Sequence, residues 1–167
     1  MQWLRALLPC LFLLALAGNL RANPSNATNT VQPLTGRVAK VLPLFMDLKG
    51  QVSPSPSLFD RDAYQIYLQD HTNEISGIRF DVDCSAHHAD GQPLKLRLEL
   101  KGVGDAGLPR EKVFEETVTP KFLHHWTSLT LAGADYKYFG VLAAWRATLW
   151  NGNQLLDEQK SFLWSAP

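Results

Sequence analysis

Apolar and polar residues alternate with a period of two through most of this chain. The clearest case is Leu94, Leu96, Leu98 and Leu100, interleaved with Lys95, Arg97, Glu99 and Lys101. Four leucines at even spacing line one face of a strand, whereas on a helix they would scatter around the axis. Ile78, Phe80, Val82 and Cys84 alternate in the same way with Arg79, Asp81 and Asp83, which predicts a half-buried strand. Between the two runs, Asp90-Gly91 is a hairpin signal, so the two strands are expected to pair antiparallel.

Further strands are predicted at Val38 to Met46, Lys112 to Val118, Trp126 to Leu131, Leu142 to Trp150 and Leu155 to Trp164. Pro43 places the first of these at a sheet edge, because proline cannot donate to a ladder. Asn151-Gly152-Asn153 joins the last two as a tight hairpin. Trp145, Ala147 and Leu149 share one face of the penultimate strand, and Trp150 has the opposite parity. Leu156, Phe162 and Trp164 share one parity of the last strand, and Trp145 and Trp164 are expected in the core. One segment breaks the pattern. Ser57 to Asp70 carries Phe59, Ala63, Ile66 and Tyr67 at helical spacing, which predicts a short amphipathic helix. Ser57 followed by Asp60 resembles a capping box, with Asp in place of the stronger Glu. About seven short strands with frequent turns predict a mainly β fold, an antiparallel β-sandwich with one short α-helix.

The first residues belong to another class. Met1 to Arg5 carries one positive charge, and Ala6 to Leu16 is almost wholly apolar. Small residues at Ala15/Ala17 and at Ala22 offer two cleavage sites. A run of about a dozen apolar residues is too short for a spanning helix, which needs roughly 20. Residues 1–22 are therefore expected to be a cleavable signal peptide, followed by a polar leader over 23–35 and the sandwich over 36–167. The expected address is periplasmic or secreted, with no integral membrane span in the mature chain. Asn26-Ala27-Thr28 is a glycosylation sequon, meaningful only in a eukaryotic host.

Processing changes the charge and the cysteine count. Arg5 and Arg21 leave with the signal, so sixteen basic residues fall to fourteen against sixteen acidic ones. A slightly acidic chain argues against a nucleic-acid partner, which calls for a basic patch or stripe. Cys84 is then the one remaining cysteine. The domain must rely on its core rather than on disulfides, and Cys84 is expected to be buried and reduced.

Near the end of the chain, Leu131-Ala132-Gly133-Ala134-Asp135-Tyr136-Lys137-Tyr138 resembles the loop that precedes the penultimate strand of immunoglobulin-like and fibronectin-type-III-like sandwiches. The resemblance implies a corner tyrosine, Tyr136 or Tyr138, whose hydroxyl bonds back to upstream backbone. This chain departs from that pattern: it lacks the cysteine pair, Gly140 intervenes before the next strand, and the early helix has no counterpart. The resemblance implies a fold and says little of activity, because such sandwiches host many functions.

The candidate chemistry is thin. His87-His88 and His124-His125 lie in loops, and Cys84, His87 and His124 would make a zinc site only by converging on one tetrahedron. No Gly-x-Ser-x-Gly elbow surrounds Ser85, Ser128 or Ser161. Asp81/Asp83 share a strand face at a spacing a glycosidase can use, as Glu115/Glu116 do not, but outward charges also keep a sheet soluble. No cofactor, metal ligand set or catalytic residue is assigned. The aromatics of the last third are the better lead. Trp150 and Tyr138 are the candidate ligand-binding residues, since an exposed aromatic stacks on sugars or anchors a protein. The expectation is a non-enzymatic exported module with a protein or glycan partner. The alternatives are a carbohydrate-binding module and a small hydrolase or metal-binding protein.

Overall fold

The computed structural model describes residues 32–165. The stretch expected to be a signal peptide, most of the expected leader, Cys10 and the Asn26 sequon lie outside the described residues. The described chain is an antiparallel β-sandwich of two sheets. Strands β1 (Thr35–Asp47), β2 (Ile75–His87) and β5 (His125–Ala132) form one sheet in the order β1-β2-β5. Strands β4 (Pro109–Val118), β3 (Leu94–Val103), β6 (Val141–Asn151) and β7 (Gln154–Lys160) form the other, in the order β4-β3-β6-β7. Helix α1 (Leu58–Asp70) joins β1 to β2, and helix α2 (Gly133–Phe139) joins β5 to β6.

The core is what the alternation demands. Ile78, Phe80, Val82 and Cys84 from β2 meet Leu94, Leu96, Leu98 and Leu100 from β3, with Leu129, Leu131, Ala147 and Leu149 filling the flanks. All the β2 and β3 members of this set are essentially fully buried. Each such side chain contributes roughly 1.5–3 kcal/mol by leaving water.

The expected β2–β3 hairpin is not formed. The two strands lie in different sheets: β2 pairs with β1 and β5, and β3 pairs with β4 and β6. Asp90 and Gly91 do take the positive φ angles that a tight turn of this type requires, as does His88. The chain uses that turn to cross between sheets rather than to fold back within one. In a sandwich every strand turns its apolar parity inward, so alternation reports the buried face and not the sheet. The β6–β7 hairpin forms as expected, with Asn151 opposite Gln154 across a two-residue turn.

Helix α1 also differs from expectation. Ser57 caps it, its Oγ accepting from the Asp60 backbone N–H at 3.4 Å. Yet the anticipated apolar face points outward: Phe59 is 81% exposed, Ile66 63% and Tyr67 40%, while Leu68 is fully buried. The helix is turned by Gln65. Its side-chain Oε1 accepts from the Phe45 backbone N–H at 2.6 Å, and its Nε2 donates to the carbonyls of Phe45 and Val52. One amide side chain thus acts as a strand partner for the open edge of β1. An unpaired strand edge invites association with another chain, and Gln65 closes it here.

The other half of β1 is closed by β7. The Val38 N–H donates to Asp157 Oδ2 at 2.8 Å, and Gln159 donates to the Ala39 carbonyl at 3.2 Å. A bulge between Val38 and Lys40 lets the strand bend there. At the far end, Asp47 binds the backbone N–H groups of Lys49 and Gln51 and the hydroxyl of Tyr64, each at 2.8 Å. Burial opposes its ionisation, but these bonds outweigh that and hold its carboxyl below the usual value. The same bond to Asp47, helped by burial, pushes the Tyr64 phenol up to about 12.

Candidate functional site

The candidate site lies on the outer face of the four-stranded sheet. Ladder register sets its contents: Lys95 stands opposite Trp150, Arg97 opposite Thr148 and Glu99 opposite Arg146, with Glu115 of β4 on the other side of Arg97. These outward parities form a groove of about 390 Å³ lined by Lys95, Arg97, Glu99, Glu115, Arg146 and Trp150, with Gly152 and Asn153 of the hairpin turn at its rim.

Its charges are already paired. Arg97 donates to Glu115 at 2.8 Å and to Glu99 at 3.3 Å. Arg146 reaches one oxygen of Glu99 through both Nε and Nη2, at 2.8 and 2.7 Å. Lys95 stands 3.7 Å from Glu115. The bond from Arg97 holds the Glu115 carboxyl below its ordinary value, and Glu115 in turn holds the guanidinium up. These exposed pairs add little stability, but they fix where the donors and acceptors point.

Trp150 is oriented from beneath. Its indole N–H donates to Thr148 Oγ1 at 2.8 Å, and that hydroxyl donates to the Arg97 carbonyl at 3.3 Å. Thr148 itself is buried on this outer face. Gln92 of the β2–β3 crossing donates to Asn151 at 3.1 Å, tying that loop to the hairpin beside Trp150.

Trp164 is a correction. It was expected in the core through the parity of a strand running to its end. The strand instead stops at Lys160 and the chain turns through a 3-10 segment, Phe162–Ser165. Ser161 ends the pairing by bonding the Trp145 backbone on both sides: its N–H donates to the Trp145 carbonyl, and its Oγ accepts from the Trp145 N–H. Trp164 thereby comes to the outer face of the four-stranded sheet. The Lys101 ammonium lies 4.5 Å from its ring centroid and the Arg146 guanidinium 5.0 Å. Trp145 does pack against the core, partly buried. Phe162, also expected inward, is almost wholly exposed.

The other predicted ligand-binding residue, Tyr138, is placed elsewhere. It is 68% exposed on α2, with the Arg110 guanidinium 4.4 Å from its ring centroid. Arg110 pairs with Gly102 at the far end of β3, whereas Trp150 pairs with Lys95. Seven residues of strand separate the two positions, about 23 Å at roughly 3.3 Å per residue. The structure does not bring Trp150 and Tyr138 together.

The expected tyrosine corner is also not made: among the described residues neither tyrosine hydroxyl of α2 bonds back to upstream backbone. Phe139 takes the buried position of the corner, its ring against Gly102, where an added Cβ would stand 2.6 Å from the ring. Gly140 then turns into β6 at φ +78°, against the Val103 carbonyl, which leaves no room for a side chain. Tyr136 instead lines a pocket of about 490 Å³ with Phe45 and Leu142. Burial raises its phenol above the ordinary value.

The remaining candidates are placed as follows. Cys84 is fully buried and free, and burial, then the charges of Asp83 and Asp157, push its thiol up to about 12. His87 packs edge-on to Phe122, so the β2–β3 and β4–β5 loops share one end of the sandwich. Cys84 faces the core, however, and His124 turns instead to the outer face of the three-stranded sheet. There its Nδ1 lies 2.5 Å from Asp83 Oδ2. No three potential metal ligands converge among the described residues. Asp81 accepts from Ser128 and Arg79. Asp83 Oδ1 and Arg79 Nε are buried without a partner.

Three signals were missed at the level of sequence. The outward charges of β3 stand singly in the sequence, and only the β3–β6 register assembles them as a ladder around Trp150. The exit of Trp164 follows from Ser161, which carries no strong breaker signal. Gln65 was invisible as a contact residue because it is polar.

No family model matches this chain, and no curated protein matches it. A solved crystal structure of a protein from Akkermansia muciniphila is similar in fold, with a TM-score of 0.51 at 10% sequence identity, covering 77% of this chain and 70% of that one. That likeness establishes a β-sandwich and says nothing further about activity.

Proposed function

We propose that the chain is an exported, non-enzymatic β-sandwich that serves as a binding or structural module of the cell envelope or the extracellular space. The observation that carries this reading is the open outer face of the four-stranded sheet, where Trp150 stands beside a preorganised row of charged groups. The polar candidates for chemistry are engaged with neighbours instead: Asp81 with Ser128, Asp83 with His124, Ser161 with the Trp145 backbone. Export is supported by the basic start and apolar run of Met1 to Ala17. No helix among the described residues is long and apolar enough to cross a membrane. An immunoglobulin-like or fibronectin-type-III-like lineage is supported by the three-plus-four antiparallel arrangement with crossings between sheets.

Two measurements test this. Expression of the full chain in its host, followed by mass spectrometry of the product, is expected to give a mature protein beginning after Ala17 or Ala22 outside the cytoplasm. A full-length cytoplasmic product overturns export. A photoreactive residue in place of Trp150 is expected to cross-link one recurring neighbour, and the same residue at Phe59 is not. Equal background labelling at the two sites overturns the binding face.

A further inference from the structure

We infer that the outer face of the four-stranded sheet is a strip for a neutral, linear glycan, laid between Trp150 and Trp164. The inference rests on the reading of that face as a binding surface and names its ligand class.

Three observations carry it. First, the face has an aromatic ring at each end. Trp150 lies at Lys95, and Trp164 lies under Lys101 and Arg146. Four to six residues of β3 separate Lys95 from Glu99, the partner of Arg146, and from Lys101, about 13–20 Å at roughly 3.3 Å per residue. That is a span for several sugar units in a row and far too long for one small molecule. A pyranose has an apolar face of C–H groups and a rim of hydroxyls. Its face suits an indole, and its rim suits the side chains between the rings.

Second, those side chains have their charges largely compensated. Arg97, Arg146 and Lys95 contact Glu99 and Glu115 at 2.7–3.7 Å, and Lys101 stands opposite Glu111 in the β3–β4 register, so four cations face three carboxylates. The row therefore offers many donors and acceptors and only a weak net field. A phosphate backbone is bound by free cations that it neutralises, and three of these four already hold carboxylate partners. A protein hot spot lies in a well-packed, fully desolvated pocket, and the centre of this strip is a shallow row of paired charges. Uncharged hydroxyls, which both donate and accept, fit such a row.

Third, the parts are held before any ligand arrives. Thr148 fixes the Trp150 indole, Glu99 is shared by two arginines, and Gln92 braces the adjoining turn. Prior ordering of this kind lowers the entropy cost of binding. The groove beside Trp150, about 390 Å³, falls within the size range of small-ligand sites.

The test is calorimetry of the folded protein with a panel of neutral tetrasaccharides: cello-, xylo-, manno- and chito-oligosaccharides. At least one is expected to bind, with the matching disaccharide at least ten-fold weaker because it reaches only one ring. Trp150→Ala and Trp164→Ala are each expected to weaken binding ten-fold or more. Trp150→Phe, which keeps a ring, retains most of it, and Phe59→Ala on α1 leaves it unchanged. Melting curves confirm that each variant is folded. Binding that survives both alanine variants overturns the proposal, and so does a preference for anionic oligosaccharides or the absence of binding across the panel. The photoreactive residue at position 150 separates this failure from that of the broader reading. If no glycan binds but a specific protein neighbour is still captured there, the strip for glycans falls and the binding face stands. If neither is found, both fall.

Discussion

The two outer faces of this sandwich are built from the same kind of residues and are used differently. On the three-stranded sheet, outward side chains of β1 and β2 are consumed by the protein itself, while Trp126 at the β5 edge stays 49% exposed. Leu44 is buried although it points away from the core, Asp83 is buried beneath His124, and Asp81 is held by Ser128 and Arg79. On the four-stranded sheet, the outward residues pair only with one another, leaving a groove along which Trp150 and Trp164 are each partly exposed. Period-two alternation predicts both faces as polar and exposed. The difference comes from α1 over β1 and from His124 of the β4–β5 loop over β2, which shelter that part of one face and leave its β5 edge open. Coverage, rather than composition, decides which face is available for a partner.

The largest effect should come from removing that coverage. Leu68 is fully buried where α1 meets the three-stranded sheet. Leu68→Ala is expected to cost about 2–5 kcal/mol, the range for large-to-small changes at buried leucines. It should also raise hydrogen exchange selectively in α1 and β1. Chemical denaturation read by circular dichroism checks the first, and exchange mass spectrometry the second. A loss below about 1 kcal/mol would show that α1 is an ornament and that the closed face is closed by its strands alone.

A middle-sized effect tests how the helix is moored. Asp47 accepts from Lys49, Gln51 and Tyr64 together. Asp47→Ala leaves those donors without their acceptor and is expected to cost about 1–3 kcal/mol at neutral pH. The pH dependence has a definite sign. The folded carboxyl is held below its ordinary value, so its contribution is fully present above the unfolded pKa. It is lost as pH falls through the lower folded value, in the region below about 4. The parent protein should therefore lose stability more steeply in acid than the variant, and the two curves should approach each other at the acid end. Parallel curves would remove Asp47 as the mooring.

These same elements show how far the sequence could be read. The strands of the core were legible because large apolar residues at one parity have one use, and Leu94 to Leu100 obeyed it. Trp150 was legible as an outward residue for the same reason. Sheet membership was not legible, since Asp90-Gly91 turns the chain equally well within a sheet or between sheets. The buried face of α1 was not legible, because a glutamine that substitutes for a strand outcompetes Phe59, Ala63 and Ile66 for the contact. The open strip was half legible. Each residue of β3 carried its charge in plain sight, but only the register with β6 assembles Lys95, Arg97 and Glu99 around Trp150.

The smallest stability effect belongs to the open face, and it sharpens the comparison most. Arg97 touches Glu99 and Glu115, yet Arg97 and Glu115 are solvated, where ion pairs contribute about 0–1 kcal/mol, and the more sheltered Glu99 keeps Arg146 as a partner when Arg97 is removed. Arg97→Ala is therefore expected to shift stability by no more than about 1 kcal/mol. The effect should shrink further in high salt, as screening weakens exposed pairs. Equilibrium denaturation at low and high ionic strength measures it. A residue that joins two carboxylates and still costs almost nothing to remove is not there to hold the fold. If Arg97→Ala instead cost as much as Leu68→Ala, the ladder would be structural cement, and the contrast between a closed face and an open one would dissolve.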